Sequence, residues 1–248
     1  MHQLSFGHGN AKLPTSTLTF SIPAGRTCPG ARDCRSWVNS LGRIQDGPHT
    51  IFRCFAASDE VKYTNVHRSR VNNLNAIVEA IDTNTATDFI TEQVTKARKR
   101  RTNKVRPHVS GDFFSADYLA AWVNTARLIP DLDFYCYTKS LNLFVPAGKL
   151  IDLPSNFYVT ASHGGMHEHL EHLFPRVAYV VNSVEEAEAM GLEIDHDESH
   201  CFGNKSFCLL LHGTQPKGSV AAEALKVLKR QGHTGYNVKR RDAELVAA

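Results

Sequence analysis

Residues 105–138 have the sequence VRPHVSGDFFSADYLAAWVNTARLIPDLDFYCYT, in which two short apolar runs flank an amphipathic segment. The runs at 105–110 and 133–138 have the length and the β-branched and aromatic content of strands. Between them, four apolar side chains recur at the spacing of one helix face: Leu119, Trp122, Val123 and Ala126. A strand, a helix and a second strand within this length predict a βαβ unit with parallel strands.

The same alternation continues along most of the chain. Apolar runs predict further strands at 17–22, 156–161, 176–182 and 207–212. Helical spacing predicts helices at 58–81, 87–101, 166–173, 184–191 and 218–231. We therefore expect an α/β fold, built as a partial or complete parallel (β/α) barrel with an N-terminal cysteine-bearing loop. Since no repeat or long linker divides the chain, residues 1–248 are expected to form a single domain.

The composition narrows the class of protein. The 248 residues are 42% hydrophobic and 21% charged, which is typical of a globular domain that can bury a sizeable core. The first residues lack a secretion signal, and no stretch is long enough for a membrane span, so we expect a cytoplasmic protein with no membrane partner. The net charge of +3 is too small to indicate nucleic-acid binding by itself.

Three cysteines follow the first predicted strand. Five residues separate Cys28 from Cys34, and 19 residues separate Cys34 from Cys54. Clustered thiols in a reducing compartment indicate metal or redox chemistry, and three thiolates leave one iron of a 4Fe-4S iron–sulfur cluster open to another ligand. We expect these three cysteines to be the metal ligands, with Cys201 or Cys208 as a candidate fourth. The alternative is that Cys54 is a small buried residue and that the other two cysteines are incidental.

Polar residues stand where the strand at 105–110 ends. Ser110, Gly111 and Asp112 join that strand to the following helix. Because the carboxyl ends of parallel strands carry the chemistry of barrels, we expect these residues to bind a cofactor, with the Asp112 carboxylate on an ammonium group and backbone amides on hydroxyls or phosphate. The alternative is that Asp112 or Ser115 only caps the helix.

The next strands end in Tyr137, Lys139 and His163, which we expect to line the same mouth and to complete the cofactor-binding set. Lys139 would bind an anion there, whereas the common alternative is a solvated lysine. Towards the end of the chain, His212 and Gln215 are further candidates for the pocket, although the neighbouring acidic run is more typical of a surface loop.

Four histidines lie close together, at positions 163, 167, 169 and 172. Zinc binding is conceivable because imidazole is a common zinc ligand. The order His-Glu-His-Leu-Glu-His nevertheless matches neither H-E-x-x-H nor H-x-x-E-H. A solvated face of histidine and glutamate is therefore favoured over a zinc site.

The strongest local charge lies between residues 96 and 106. The cations there are Lys96, Arg98, Lys99, Arg100, Arg101, Lys104 and Arg106. Such a cluster is consistent with contacts to the phosphates of a nucleic acid. Favourable charge at the end of a helix explains it nearly as well.

Several segments together resemble one family. They are NAKLPTSTLTFSIPAGRTCPGARDC, GPHTIFRCFAAS, RPHVSGDFFS, FYCYTKSL and LLLHGTQPKGS, and the resemblance extends over most of the chain. They are similar to the uncharacterised "gene product 88" family of mycobacteriophages and of related plasmid or phage proteins. The resemblance implies a phage protein whose activity is unsettled.

A more distant resemblance is to radical S-adenosylmethionine enzymes, which carry a three-cysteine cluster loop after the first strand of a partial (β/α) barrel. It implies that Cys28, Cys34 and Cys54 hold the cluster and that Ser110, Gly111 and Asp112 stand where those enzymes bind the methionine amino group. The cysteine spacing departs from their C-x3-C-x2-C motif. The likeness is one of fold, and function must be argued from the site itself.

Three hypotheses follow from the sequence. The leading one is an iron–sulfur protein, with S-adenosylmethionine as the accompanying cofactor if it is a radical enzyme. The second is a nucleic-acid-binding accessory protein that uses a basic set: Lys96, Arg98, Lys99, Arg100 and Arg101. The third, a phage inhibitor of a host protein, has no feature of the sequence in its favour.

Overall fold

A computed structural model describes residues 3–10 and 12–233. Its strands are β1 (Gly7–His8), β2 (Thr17–Ser21), β3 (Ser36–Val38), β4 (Ile44–Asp46), β5 (Lys104–Ser110), β6 (Asp133–Thr138), β7 (Phe157–Ser162), β8 (Val177–Val181) and β9 (Phe207–Leu210). Its α-helices are α1 (Phe55–Lys62), α2 (Thr64–Asp82), α3 (Ala86–Ala97), α4 (Ala116–Leu128), α5 (Leu141–Phe144), α6 (Val184–Ala189) and α7 (Val220–Arg230). Two 3₁₀ helices lie at Glu168–Leu173 and Ser199–Phe202. None of these described helices is long and apolar enough to cross a membrane.

The main sheet confirms the predicted α/β fold. It has seven strands in the order β1-β2-β5-β6-β7-β8-β9, and β3 pairs with β4 in a separate hairpin. All neighbours in the main sheet are parallel except β1, which runs antiparallel to β2. From β5 onward each strand lies beside the next one in sequence, so the carboxyl ends of six parallel strands share one edge of the sheet.

The complete barrel that the sequence allowed is not formed by the described residues, in which β1 and β9 are the edge strands. Strand β1 is antiparallel to β2 and forms one edge. At the other edge, the backbone of Cys208 exchanges hydrogen bonds with Glu193 (2.8 Å) and Asp195 (2.9 Å). These bonds occupy part of the outer edge of β9, and the described sheet stays open.

The helix α4 packs on the sheet as its sequence predicts. Its four apolar residues at positions 119, 122, 123 and 126 are all buried. The Trp122 ring lies 5.4 Å from the ring of Phe20 on β2 and 6.4 Å from that of Phe134 on β6. Burial of this aromatic cluster supplies a large hydrophobic contribution and joins the helix layer to the centre of the sheet.

The helix predicted at 58–81 is two helices. Tyr63 has φ −125° and ψ 95°, an extended conformation that ends α1 and begins α2. The helix predicted to run to Arg101 ends at Ala97, because Arg98 is also extended and its guanidinium bonds Asp131 at 2.7 Å. Apolar periodicity does not reveal such breaks, since a single extended residue leaves the pattern on both sides intact.

A buried ion pair connects α1 and α2. The Glu60 side chain is fully buried, and Arg70 donates to it at 2.8 Å. The same carboxylate accepts from the backbone N–H of Ala24 at 2.9 Å and from the Ser110 hydroxyl at 3.2 Å. A buried charge is tolerated when its oxygens are satisfied in this way. Glu60 therefore ties two helices to the segment after β2 and to the end of β5.

Replacing Glu60 with alanine leaves the Arg70 guanidinium buried without its carboxylate. We expect Glu60→Ala to lower the free energy of unfolding by about 3–5 kcal/mol, measured by urea denaturation. The matched control is Glu92→Ala, which breaks the exposed Lys96–Glu92 pair and should behave as an ordinary surface substitution. Equal losses in the two variants would contradict the role given to Glu60.

Candidate functional site

A cavity of about 230 Å³ opens at the carboxyl ends of the strands. Eight of the nine site residues predicted from the sequence line it: Cys28, Cys34, Cys54, Ser110, Gly111, Asp112, Tyr137 and Lys139. The ninth, His163, does not line it, although its neighbour Ser162 does. Of the two later candidates, His212 lines the cavity and Gln215 does not. The volume suits a small molecule.

Two glycines let the cysteine loop lie directly on the strand ends. A Cβ at Gly30 would stand 2.0 Å from the carbonyl oxygen of Lys139. Gly111 has φ +84°, and its Cβ would stand 2.3 Å from Cγ1 of Ile22. Both approaches exclude any side chain, and the positive φ of Gly111 adds a second reason for glycine. The loop that carries Cys28 and Cys34 is therefore held against β6 by backbone contact.

The β3–β4 hairpin returns the chain to the cavity across the 19 residues between Cys34 and Cys54. The backbone N–H of Ile51 donates to the carbonyl of Asp33 at 2.7 Å. The side-chain amide of Gln215 accepts from the N–H of Arg53 at 2.7 Å and donates to the carbonyl of Arg53 at 2.9 Å. Gln215 thus positions Cys54 without lining the cavity itself.

The three cavity thiols influence one another. Desolvation raises the pKa of Cys28 well above its ordinary value, and the charges of Asp112, Cys54 and Cys34 raise it further. Desolvation and the charge of Cys34 raise the pKa of Cys54 to about 11. The thiols of Cys28 and Cys54 are therefore neutral near pH 7 unless a cation compensates the thiolate charge, as a bound metal does.

The three thiols do not form a compact metal site in this structure. Among the described residues, only His163, Glu168 and Glu171 have metal-ligating atoms that all lie within 4.8 Å of one another. Tetrahedral zinc with sulfur at 2.3 Å needs thiolates ~3.8 Å apart. The three sulfur atoms are therefore not arranged for one zinc ion.

Asp112 stabilises the rim of the cavity through hydrogen bonds. Its carboxylate accepts four hydrogen bonds, from the N–H of Phe113 (2.7 Å), the Thr138 hydroxyl (2.7 Å), and the N–H groups of Lys139 (2.8 Å) and Ser140 (3.2 Å). Burial raises the pKa of Asp112, and these hydrogen bonds oppose that rise. The carboxylate joins the end of β5 to the end of β6. The cap of α4 is Ser115, whose hydroxyl accepts from the N–H of Tyr118 at 3.2 Å.

Lys139 is not the solvated lysine of the alternative interpretation. Only 7% of the residue is exposed, and its ammonium donates to the Ser162 hydroxyl. No carboxylate forms a salt bridge with it among the described residues. A buried ammonium with one neutral acceptor and two remaining donors is suited to an anionic or carbonyl group in the cavity.

Sequence reasoning missed the polar residues at the deep end of the cavity. Arg106, assigned above to a basic surface, has a side chain only 12% exposed and pairs with Glu198 at 2.5 Å. Glu198 also accepts from the Tyr135 hydroxyl at 2.9 Å. His108 has φ +64°, and its Nε2 lies 2.9 Å from the Tyr118 hydroxyl. The sequence contains a signal that could have identified them: Arg106 and His108 are polar residues within a strand that is expected to be apolar on both faces.

The histidine cluster lies outside the cavity. His163 Nδ1 is 3.1 Å from Glu171, and Nε2 is 3.6 Å from Glu168. Arg32 already pairs with Glu168 at 2.8 Å and with Asp33 at 2.7 Å, so part of the acidic charge is neutralised. The other three histidines of the cluster belong to no metal-ligating group in the described part of the chain.

Comparisons with known proteins agree with the resemblance seen in the sequence. A sequence profile described as Gene product 88 matches residues 3–232. The Gene 88 protein of Mycobacterium phage D29 is 28% identical over 142 residues, which cover 55% of this chain and 59% of the phage protein. The Gene 88 protein of Mycobacterium phage L5 is 29% identical over 133 residues, which cover 51% of this chain and 56% of that phage protein. The chain thus spans somewhat more than half the length of these relatives, and no solved structure matches it significantly.

The protonation of His108 predicts how stability depends on pH. Burial, aided by the charge of Arg106, lowers its pKa from 6.5 to about 3. Above pH 6.5 the folded and unfolded states are both neutral at this residue; as the pH falls towards 3, only the unfolded state takes up the proton. Between pH 7 and pH 5 this costs the folded protein about 2 kcal/mol.

We therefore expect His108→Asn to lose less stability than the wild type between pH 7 and pH 5, measured by urea denaturation at each pH. Asparagine tolerates the left-handed conformation of this position, so the substitution removes the proton site with little backbone strain. Desolvation lowers the pKa of the half-buried His212 to about 4, and because both proteins contain this residue, its contribution is the same in both pH profiles. Parallel pH profiles would show that His108 is not a buried neutral imidazole.

Proposed function

The chain belongs to the Gene product 88 family, and we propose that its cavity binds a 4Fe-4S iron–sulfur cluster through Cys28, Cys34 and Cys54. The observation that carries the proposal is that these three cysteines, distant in sequence, line one cavity. The other cysteines, Cys136, Cys201 and Cys208, are buried in the core and do not line it. Three ligands leave one corner iron open to a bound molecule.

The cavity also suits a small cofactor beside the cluster. We propose that the parallel sheet curls as a partial barrel similar to that of radical S-adenosylmethionine enzymes, with a sulfonium cofactor of that type at the carboxyl ends of the strands. A cluster bound by Cys28, Cys34 and Cys54, once reduced by an external electron donor, would supply the electron for reductive cleavage of the carbon–sulfur bond of such a cofactor. The departure from the C-x3-C-x2-C spacing means that the proposal depends on the cavity and not on the motif.

The chain's own residues would have distinct roles in that binding. All four lone-pair positions of the Asp112 carboxylate are engaged by protein donors, so Asp112 acts as a positioning residue for the rim and not as a direct ligand of an ammonium group. The Lys139 ammonium, which Asp112 helps to position through the backbone, would bind a carboxylate of the cofactor. Gly111, which has no side chain, leaves the backbone at the rim accessible.

Removal of one cavity thiol tests the cluster. We expect protein purified without oxygen to contain about four irons and an equal amount of sulfide, and Cys28→Ser to lose most of both. The matched control is Cys208→Ser, a thiol on β9 that does not line the cavity, which should retain the iron of the wild type. Full iron content in Cys28→Ser, or a colourless wild type containing zinc in place of iron, would overturn the assignment.

Nucleic-acid binding is a second candidate, favoured by three exposed cations. Lys99, Arg100 and Arg101 are exposed and form no salt bridge with a described residue. The neighbouring cations offer less positive charge to a phosphate, because Lys96 pairs with Glu92 and Arg98 pairs with Asp131. The three lie just before β5, at the amino ends of the parallel strands and thus opposite the cavity. The two candidate functions can therefore be tested separately.

Neutralising these three cations tests that candidate. If they contact phosphates, replacing Lys99, Arg100 and Arg101 with glutamine should reduce the magnitude of the slope of log affinity against log salt. The expected reduction is about 3 with duplex DNA and about 2 with single-stranded RNA, measured by fluorescence anisotropy. A control variant carries Lys226→Gln, which removes a cation already paired with Glu223. Unchanged slopes, or no binding by the wild type, would exclude this surface as a nucleic-acid site.

A further inference from the structure

Five buried polar atoms of cavity-lining residues have no hydrogen-bond partner among the described residues. Two of them are the Tyr137 hydroxyl and Nδ1 of His233; the other three are Nε of Arg106, Nδ1 of His108 and Oδ2 of Asp195. The Asp195 side chain is completely buried, and His108 is 4% exposed. Buried polar atoms without partners are rare in native proteins, because each loses its bonds to water without replacement. Their gathering in one cavity indicates a ligand, and Arg106, His108 and Asp195 are the charged or imidazole groups that would recognise it.

The surrounding contacts hold these atoms in position. The Asp195 Oδ1 accepts from the N–H groups of Asp197 (3.0 Å) and Glu198 (2.9 Å), which leaves Oδ2 as the unengaged oxygen. Arg106 pairs with Glu198 through Nη1, and its guanidinium lies 5.1 Å from the centre of the Tyr137 ring. Such preorganised groups bind a complementary ligand without a further ordering cost.

The three atoms define a pattern of donors and acceptors. Arg106 Nε can only donate, and the Asp195 carboxylate oxygen accepts. His108 is a neutral imidazole whose free nitrogen supports either role. A carboxylate ligand would be repelled by Asp195 and Glu198, and an ammonium ligand would leave Arg106 unsatisfied. The complementary ligand is a neutral group that carries an N–H donor beside a carbonyl acceptor.

The neighbouring walls indicate the shape of that group. Aliphatic side chains line the same cavity: Val180, Ile194, Leu209, Leu210 and Leu211. They suit the apolar faces of a flat ring whose polar atoms lie on one edge. A sugar, which has hydroxyls around its whole perimeter, would leave several of them against these aliphatic chains without partners.

We propose that Arg106, His108 and Asp195 form a subsite for a planar cyclic amide, the chemical group found in the uracil and guanine rings. The inference rests on the proposed function in one respect, namely that this cavity is the ligand-binding site of the protein. It adds the class of substrate that would lie beside the cluster. The amide N–H donates to Asp195 Oδ2, and the adjacent carbonyl accepts from Arg106 Nε.

The test measures binding of defined probes to the full chain, purified without oxygen, by isothermal titration calorimetry. The probes are uridine and guanosine, their counterparts N3-methyluridine and N1-methylguanosine, and ribose. Methylation removes the N–H donor and leaves the rest of the ring, so at least one parent nucleoside should bind about tenfold or more tightly than its methylated form. Equal binding of the methylated form, binding of ribose as tight as that of the nucleosides, or binding of neither nucleoside at millimolar concentration would overturn the subsite.

Two variants assign the binding to these residues. Asp195→Asn preserves the acceptor for the N–H groups of Asp197 and Glu198 and presents an amide donor in place of Oδ2, so it should bind the nucleoside about tenfold or more weakly. Asp197→Asn makes the same chemical change in the same loop at a residue that does not line the cavity, and should bind as the wild type does. Unchanged binding in Asp195→Asn would overturn the proposal.

A third variant and an iron assay distinguish loss of the subsite from misfolding and from loss of the cluster. If Asp195→Asn does not fold, as judged by its urea transition, Arg106→Lys keeps a cation for Glu198 while removing the Nε donor, and the same loss of binding is expected. Iron is measured on every sample. Loss of nucleoside binding at normal iron content supports the subsite, whereas probe discrimination by a protein without iron would overturn the cluster and leave the subsite standing.

Discussion

The fully buried carboxylate of Glu60 connects four parts of the chain through charged and polar hydrogen bonds. It accepts from Arg70 on α2, from the N–H of Ala24 after β2, and from the Ser110 hydroxyl at the end of β5, while it is itself carried by α1. Hydrophobic burial is non-directional and would allow these parts to shift relative to one another. A charged acceptor with several donors does not, because each displacement leaves a buried group unsatisfied. The entrance of the cysteine loop and the end of β5 are therefore held at one distance.

Asp112 performs the equivalent task one strand further along the sheet. It joins the end of β5 to the end of β6, and it does so through backbone N–H groups that any residue at those positions would supply. The two close glycine contacts, at Gly30 and Gly111, then bring the cysteine loop against the same strand ends. Carboxylates and glycines together shape the rim. Because the Asp112 carboxylate is used to hold the ends of two strands together, it binds protein groups and is not available to a ligand in the cavity.

The cavity has two chemically different ends. Near the rim are three thiols, and desolvation disfavours the thiolate forms of Cys28 and Cys54 unless a metal is bound. At the deep end, Arg106 and Glu198 form a buried pair beside Asp195 and the neutral His108. If the proposed cluster binds at the thiol end, the proposed subsite at the other end would hold a substrate close to that cofactor. The exposed cations before β5 lie at the opposite end of the strands.

The sequence by itself determined the alternation of strands and helices, the buried face of α4, and the gathering of polar residues at the carboxyl ends of the strands. These features follow from local periodicity and from the geometry of parallel sheets, so eight of the nine predicted site residues line the cavity. Only the tertiary structure decided that Arg106 is internal and that Lys139 is buried. It also decided that Asp195 and Glu198 complete the cavity and that the sheet stays open. Each of these depends on a partner distant in sequence, such as Glu198 for Arg106, and no local pattern identifies the partner of a buried charge.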